Sequence, residues 1–112
     1  PWSPLARGRL TRDWDSASPR SETDALSTSL YSDDDREIVR RVAGLADLHG
    51  VPRAQIALAW MLGKPAVTAP LMGATKIGHI DDAVAALDVT LTQEEIASLE
   101  EPYTPRPIVG FP

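Results

Sequence analysis

Apolar residues recur at three- and four-residue steps in four stretches of this chain, a spacing that places them on one face of a helix. The first stretch follows Ser32, a hydroxyl N-cap, and an acidic first turn, and it stops before Gly50. It predicts a helix over 33–48, with His49 in the last turn, where the helix dipole favours a cation. The second stretch is apolar nearly all round, which predicts a deeply buried helix over 53–62.

The third and fourth stretches lie in the C-terminal half of the chain. Ile77, Ile80, Val84 and Leu87 predict a helix over about 76–86 with one buried face. A capping box, Thr92 with Glu95 three residues later, starts a final helix over 92–101, which ends before Pro102.

The remaining segments lack a helical period. Residues 66–69 form a short, apolar and β-favouring run, so we predict one strand there. Prolines stand on both sides of this run, and proline cannot lie inside a central ladder. Residues 11–31 are rich in Ser, Thr, Asp and Arg and read as a long mobile loop. Residues 102–112 form a proline-rich tail. The strand at 66–69 is followed by a single-glycine turn and a helix, an arrangement that is common in α/β folds.

A glycine turn connects the predicted strand to the third helix. Its residues Gly73-Ala74-Thr75-Lys76 combine a flexible position, a hydroxyl and a cation just before a helix N-terminus, where unpaired N–H groups favour an anion. The alternative is a plain turn in which Gly73 supplies a positive φ, Thr75 caps the helix and Lys76 is solvated.

The first ten residues form a second polar loop. Prolines bracket Trp2 and Ser3, and the proline after Ser3 predicts an extended backbone there with the hydroxyl presented. Trp2 either covers the edge of a core or stacks on a ligand. The loop carries arginines and no acid up to residue 12, so both polar loops at one end of a sheet could hold one extended anion.

Composition excludes several kinds of function. The 112 residues carry a net charge of −5 and no cysteine, which excludes disulfides and thiolate chemistry and agrees with a reducing, cytoplasmic location. A net acidic chain is a poor nucleic-acid binder, and no apolar run is long enough to span a membrane. The two histidines lack a ligand motif, so we expect no metal site, and neither standard nucleotide-binding loop occurs.

Four separated blocks of sequence resemble the C-terminal part of the aldo-keto reductases. They match in order and at suitable distances over nearly the whole chain, most closely in the bacterial and fungal members related to the potassium-channel β subunits. The blocks are Pro1-Trp2-Ser3-Pro4-Leu5-Ala6-x-Gly8-x-Leu10, Gly50-Val51-Pro52-x-Ala54-Gln55-Ile56-Ala57-Leu58-Ala59-Trp60, Gly73-Ala74-Thr75-Lys76, and Leu91-Thr92-x-Glu94-Glu95-Ile96-x-x-Leu99-Glu100 with Pro102-Tyr103.

The resemblance implies the C-terminal part of a (β/α)8 TIM barrel. Residues 1–10 would be the end of strand seven and a cofactor loop, 32–62 two helices, 66–87 strand eight with the last barrel helix, and 92–101 a closing helix. Such barrels carry their active sites at the C-terminal face of the strands, with a phosphate site after strands seven and eight.

The resemblance also implies NADP(H) as cofactor and assigns residues to it. Trp2 would stack on the nicotinamide, the loop with Ser3, Leu5 and Gly8 would surround the pyrophosphate, and the turn at Gly73 would take the adenosine 2′-phosphate. In that turn Thr75 and Lys76 match the residues that contact the phosphate, and His79 lies where glutamine is common beside the adenine. Ala83 departs from the family pattern, because many relatives carry asparagine there as an adenine contact.

The family's catalytic Asp, Tyr, Lys and His would lie upstream of Pro1, so this chain would supply part of the cofactor site and no catalytic residue. In the whole enzyme the substrate would be a small aldehyde or ketone. The alternatives are a nucleotide-sensing protein without catalysis, of the channel β-subunit type, and a truncated product without activity. Because two of eight strands cannot close a barrel, we expect the isolated chain to be marginally stable or to need a partner segment. The sequence leaves the oligomeric state open.

Overall fold

The computed structural model describes residues 1–15 and 31–105, and these residues fold around four α-helices. Three of them pack around the core: α1, Arg36–His49, α2, Arg53–Leu62, and α4, Gln93–Glu100. The fourth, α3, spans Ile77–Ala85 and packs against α2. Short 3-10 turns lie at Ala6–Thr11, Asp33–Asp35 and Ala86–Asp88.

Helices α1, α2 and α4 begin where the sequence signals place their starts. The turn Asp33–Asp35 leads directly into α1, and Asp35 accepts a hydrogen bond from the Ser32 N–H at 3.2 Å. The capping box of α4 is formed in both directions: Glu95 N–H donates to Thr92 Oγ1 at 3.1 Å, and Thr92 N–H donates to Glu95 Oε1 at 2.9 Å. Gly50 ends α1 with a φ of 66°, which glycine adopts at no steric cost.

The core lies where α1, α2 and α4 meet. Ile56 is fully buried and clusters with Val42 and Ala46 of α1 and Leu99 of α4. Residues 55–59 of α2 are all buried, as the apolar character of this stretch predicts.

Polar contacts join the same helices at the rim of the core. His49, in the last turn of α1, contacts Glu95 at 2.5 Å, and Arg41 donates to the Ser98 carbonyl at 2.7 Å. Both contacts join α1 to α4. The predicted cation position at the end of α1 therefore also serves as an inter-helix contact.

The predicted strand at 66–69 is wrong for this structure. Val67 N–H donates to the Lys64 carbonyl at 3.0 Å, so the segment folds as a turn. Among the described residues the parallel pairing is a single bridge, between Trp2 and Leu71, and the assignment of 1–10 to a strand end and its loop stays a prediction. A strand needs neighbouring strands to receive its N–H and C=O groups, and the described part of the chain supplies one contact point.

Helix α3 forms, but its apolar face is not buried. Ile77, Ile80 and Val84, with Leu87 just beyond the helix, are between 55% and 80% exposed. The period of the sequence predicted the helix correctly and its burial incorrectly, because no described segment packs on that face.

The predicted mobile loop over 11–31 is described only at its ends, and most of the proline-rich tail, 106–112, lies outside the described residues. In the described parts of the chain, no helix is long and apolar enough to cross a membrane.

Candidate functional site

The two polar loops singled out in the sequence are adjacent in the structure. The parallel bridge pairs Trp2 with Leu71, and the Leu71 N–H donates to the Pro1 carbonyl at 2.8 Å. Because the pairing is parallel, the chain leaves both segments in the same direction. The loop that follows Trp2 and the turn that starts at Gly73 therefore leave the bridge on one side.

The loop after Trp2 is built from left-handed backbone. Ser3, Ala6 and Arg7 have φ values of 53°, 51° and 55°, and Gly8 has 89°. Hydrogen bonds from Ala6 N–H to the Ser3 carbonyl and from Gly8 N–H to the Leu5 carbonyl, each 3.0 Å, hold these turns. Non-glycine residues in this region cost about 1–2 kcal/mol each, and such strain is common at ligand sites.

The prediction that Ser3 is extended is wrong. Its carbonyl closes a turn onto Ala6, and this hydrogen bond outweighs the preference that Pro4 imposes on the residue before it. Trp2 itself is 56% exposed, so its ring does not serve mainly to cover the edge of the core.

The Gly73 turn leads into the N-terminus of α3. Lys76 is the N-cap residue, with extended backbone and no side-chain cap, and the Thr75 N–H donates to Nδ1 of His79 at 3.4 Å. Residues 73–80 are all exposed. Thr75, Lys76 and His79 therefore form one exposed group around the start of the helix.

These observations remove two parts of the plain-turn interpretation. Thr75 does not cap α3, because the N-cap is Lys76. Gly73 is not among the glycines with positive φ, and a Cβ placed on it would meet no atom within 4 Å. Neither backbone conformation nor crowding within the described chain requires a glycine at this position.

Arginine side chains surround the left-handed loop. The pKa of Arg12 is lowered, first by burial and then by repulsion from Arg9. The Arg12 guanidinium lies over Gly8, with Nη1 2.6 Å from the point where a Cβ would stand. Arg9 lies over the Trp14 ring at 4.9 Å. Two cations held close together in a partly buried place favour the approach of an anion.

Two buried guanidinium atoms near this loop have no hydrogen-bond partner among the described residues: Nε of Arg9 and Nη1 of Arg53. Arg53 begins α2 and contacts Asp13 at 2.7 Å through its other terminal nitrogen. Sequence reasoning noted the arginines of the loop as a group, but it missed Arg53, which reaches this region only through the packing of α2 against the loop. In the described segments no group of three or more His, Asp or Glu side chains is placed to hold a metal ion.

Comparison with known proteins identifies the family. The model of the aldo/keto reductase family matches residues 1–103. The versiconal hemiacetal acetate reductase of Aspergillus parasiticus is 47% identical over 113 residues, which cover 96% of this chain and 33% of that protein. An aldo-keto reductase of Metarhizium robertsii is 40% identical over 119 residues, covering 98% of this chain and 30% of that protein.

The chain thus spans about a third of the length of these relatives. The family match extends from the bridge at Trp2, through the left-handed loop and the Gly73 turn, to Tyr103 at the end of the described helices. This chain belongs to the aldo/keto reductase family, whose fold is the (β/α)8 barrel and whose members are oxidoreductases.

Proposed function

We propose that this chain is the NADP(H)-binding, C-terminal part of an aldo-keto reductase that reduces small aldehydes or ketones to alcohols. The observation that carries the proposal is the parallel bridge between Trp2 and Leu71, which puts the left-handed loop beside the Gly73 turn. An extended dinucleotide needs two such anion-binding loops, one for the pyrophosphate and one for the adenosine 2′-phosphate.

Within that barrel, the Trp2–Leu71 bridge would join the ends of strands seven and eight, which neighbouring strands would extend. The exposed apolar face of α3 would then pack against the rest of the barrel. The proposal thereby gives Ile80 and its neighbours on this face the covering that the described chain does not provide.

The residues of the Gly73 turn fit a phosphate. Lys76 supplies a full positive charge, the first turn of α3 supplies N–H groups without helical partners, and Thr75 supplies a hydroxyl. The open space at Gly73 lets the backbone approach a ligand closely. We assign this turn to the 2′-phosphate, with His79 beside the adenine.

The residues of the left-handed loop fit a pyrophosphate. The unpartnered Nε of Arg9 and Nη1 of Arg53 are buried donors that an anion would satisfy. The backbone turns at Ser3, Leu5 and Gly8 would surround the pyrophosphate, and the exposed Trp2 ring would stack on the nicotinamide.

When bound, NADPH supplies a hydride to the carbonyl carbon of the substrate. The residues of this chain position the cofactor and set the preference for NADPH over NADH. We propose that the proton donor for the carbonyl oxygen lies in a part of the protein outside these 112 residues.

Titration of NADPH and NADH into the 112-residue chain tests the proposal. We expect tighter binding of NADPH, and we expect Lys76→Glu to remove the preference by weakening NADPH binding about 10- to 100-fold, since a hydrogen bond to a charged group contributes about 1.5–3 kcal/mol. Arg40→Glu makes the same change in net charge on α1, where Arg40 pairs with Glu37, and should leave the preference intact. Equal affinity of the unaltered chain for both cofactors would disprove the 2′-phosphate assignment.

A second variant separates binding from folding. Gly73→Ala should leave the free energy of unfolding nearly unchanged, because its added methyl meets no atom within 4 Å. It should weaken NADPH binding, because the methyl occupies the surface that the cofactor approaches. Unchanged NADPH affinity in this variant would remove Gly73 from the site.

A further inference from the structure

A cavity of about 580 Å³ lies between the left-handed loop and helices α1, α2 and α4. Buried apolar side chains form its inner wall: Val42 of α1, Ala57 of α2 and Leu99 of α4. Ile38 and Met61, both half-buried, continue the apolar surface outward. The volume is within the range of about 300–1,000 Å³ that small-molecule sites occupy.

The two charged side chains at the cavity, Lys64 and Glu100, pair with each other. Glu100 Oε1 accepts hydrogen bonds from Lys64 Nζ and, at 2.9 Å, from Trp60 Nε1. Lys64 Nζ also lies 4.9 Å from the centre of the Trp60 ring. These contacts lower the pKa of Glu100, with the Lys64 hydrogen bond as the largest cause. The Lys64 and Glu100 charges therefore neutralise each other.

The lining of this cavity does not include Trp2 or the Gly73 turn, and it shares Ser3 with the proposed pyrophosphate loop. Ser3 and Ala6 border it from the left-handed loop. Because the cavity borders the proposed cofactor site at Ser3, ligand binding to the cavity is measured with no cofactor in solution.

We propose that the cavity binds an uncharged aromatic molecule, with its ring against Val42, Ala57 and Leu99 and its edge beside the Trp60 ring. An apolar wall favours an apolar body, and aromatic rings gain from contact with a neighbouring ring edge. A charged ligand is disfavoured, because burying its charge costs free energy that the paired Lys64 and Glu100 do not return.

Two fluorescent probes that differ by one sulfonate test both parts of the proposal. N-phenyl-1-naphthylamine is an uncharged aromatic molecule, and 1-anilinonaphthalene-8-sulfonate is its anionic counterpart. We expect saturable binding of the uncharged probe with one site per chain, and at least tenfold weaker binding of the sulfonate. Equal or tighter binding of the sulfonate, or no saturable binding of the uncharged probe, would overturn the proposal.

Matched substitutions locate the site. Ile38→Trp places an indole ring into the cavity from α1, at a half-buried position with room to accept it. This variant should weaken binding of the uncharged probe at least tenfold. Ile80→Trp makes the same change on the exposed face of α3, outside the cavity, and should leave binding unchanged. Far-UV circular dichroism establishes that each variant is folded. If Ile80→Trp weakens binding as much as Ile38→Trp, or if neither does, the probe binds elsewhere and the proposal fails.

A second variant that fills the cavity from another wall controls for a local effect of Ile38→Trp. Ala57→Leu adds volume from α2 and should weaken the uncharged probe in the same way. Weakened binding in the folded Ile38→Trp variant with full binding in a folded Ala57→Leu variant would contradict a ring seated against the inner wall.

Discussion

An isoleucine-to-alanine substitution at two positions compares the stability contributed by the core with that contributed by the exposed face of α3. Ile56 of α2 is fully buried in the cluster with Val42, Ala46 and Leu99, whereas Ile80 of α3 is 55% exposed. Replacing each by alanine removes the same three carbon atoms, so the two variants differ in environment and not in chemistry.

The expected magnitudes follow from burial. At Ile56 the lost carbons contribute about 2.4 kcal/mol at about 0.8 kcal/mol per buried group. The cavity that remains between α1, α2 and α4 raises the total cost to about 3–4 kcal/mol. At Ile80 less than half of the side chain is removed from water and no cavity forms. The higher helix propensity of alanine offsets part of the loss, so Ile80→Ala should cost about 0.5–1 kcal/mol.

Urea unfolding followed by far-UV circular dichroism and tryptophan fluorescence gives both values. If the chain has an ordinary stability of about 5–15 kcal/mol, Ile56→Ala removes a large part of it, and a marginally stable chain would unfold outright. The comparison should be made at several protein concentrations, because self-association through the face of α3 would cover Ile80.

Equal losses at the two positions would refute the description of α3. If the two variants lose equal unfolding free energy and the loss at Ile80 grows with protein concentration, the apolar face of α3 is buried between copies of the chain. Losses that match at every concentration would mean that α3 packs inside one chain. A small loss at Ile56 would contradict the core itself.

Three further predictions concern polar and backbone positions. Arg41→Met should destabilise the chain by about 1–3 kcal/mol, because the 25%-exposed guanidinium donates to the Ser98 carbonyl at 2.7 Å, whereas Arg40→Met at a 77%-exposed side chain should cost under about 0.5 kcal/mol by urea unfolding. Gly44→Ala should raise the free energy of unfolding by about 0.5–1 kcal/mol, since an added Cβ in the middle of α1 meets no atom within 4 Å and removes the cost of glycine in a helix; a lower melting temperature would contradict this. The Arg40 and Arg41 hydrogen bonds lower the pKa of Glu37 from 4.5 to about 2, so its contribution is present above pH 4.5 and is lost as the pH falls toward 2. Glu37→Gln should flatten that part of the stability profile, and an unchanged profile would show that the ion pairs add nothing.

The helices could be predicted from the sequence because their signals are local. The Thr92 and Glu95 side chains satisfy backbone N–H groups only three residues apart, and Gly50 ends α1 through its own conformation. A helix also satisfies its interior backbone hydrogen bonds within one segment. Short-range sequence patterns therefore predict where α1, α2, α3 and α4 form.

The candidate site was predictable only in part. The polar character of both loops is visible in the sequence, whereas their adjacency is seen only in the Trp2–Leu71 bridge. The left-handed Ser3 was not predictable, since the residue before a proline ordinarily extends. Arg53 joins this region because α2 packs against the loop, which is a contact between residues about forty positions apart.

Two of the predictions that were wrong, the strand at 66–69 and the burial of the α3 face, have one physical cause. A strand needs partners for its backbone groups, and an apolar helix face needs a surface to cover it; neither requirement can be met from within the segment itself. The apolar residues of α2 and of α3 each need a packing surface. The described chain supplies one for α2 and none for the apolar face of α3. Residues 66–69 and the face of α3 are neighbours in sequence, they fail together, and they flank the Gly73 turn. The turn that we assign to the 2′-phosphate therefore lies between two segments that lack packing partners among the described residues, so covering strands should also strengthen cofactor binding by fixing Gly73, Thr75 and Lys76 in place.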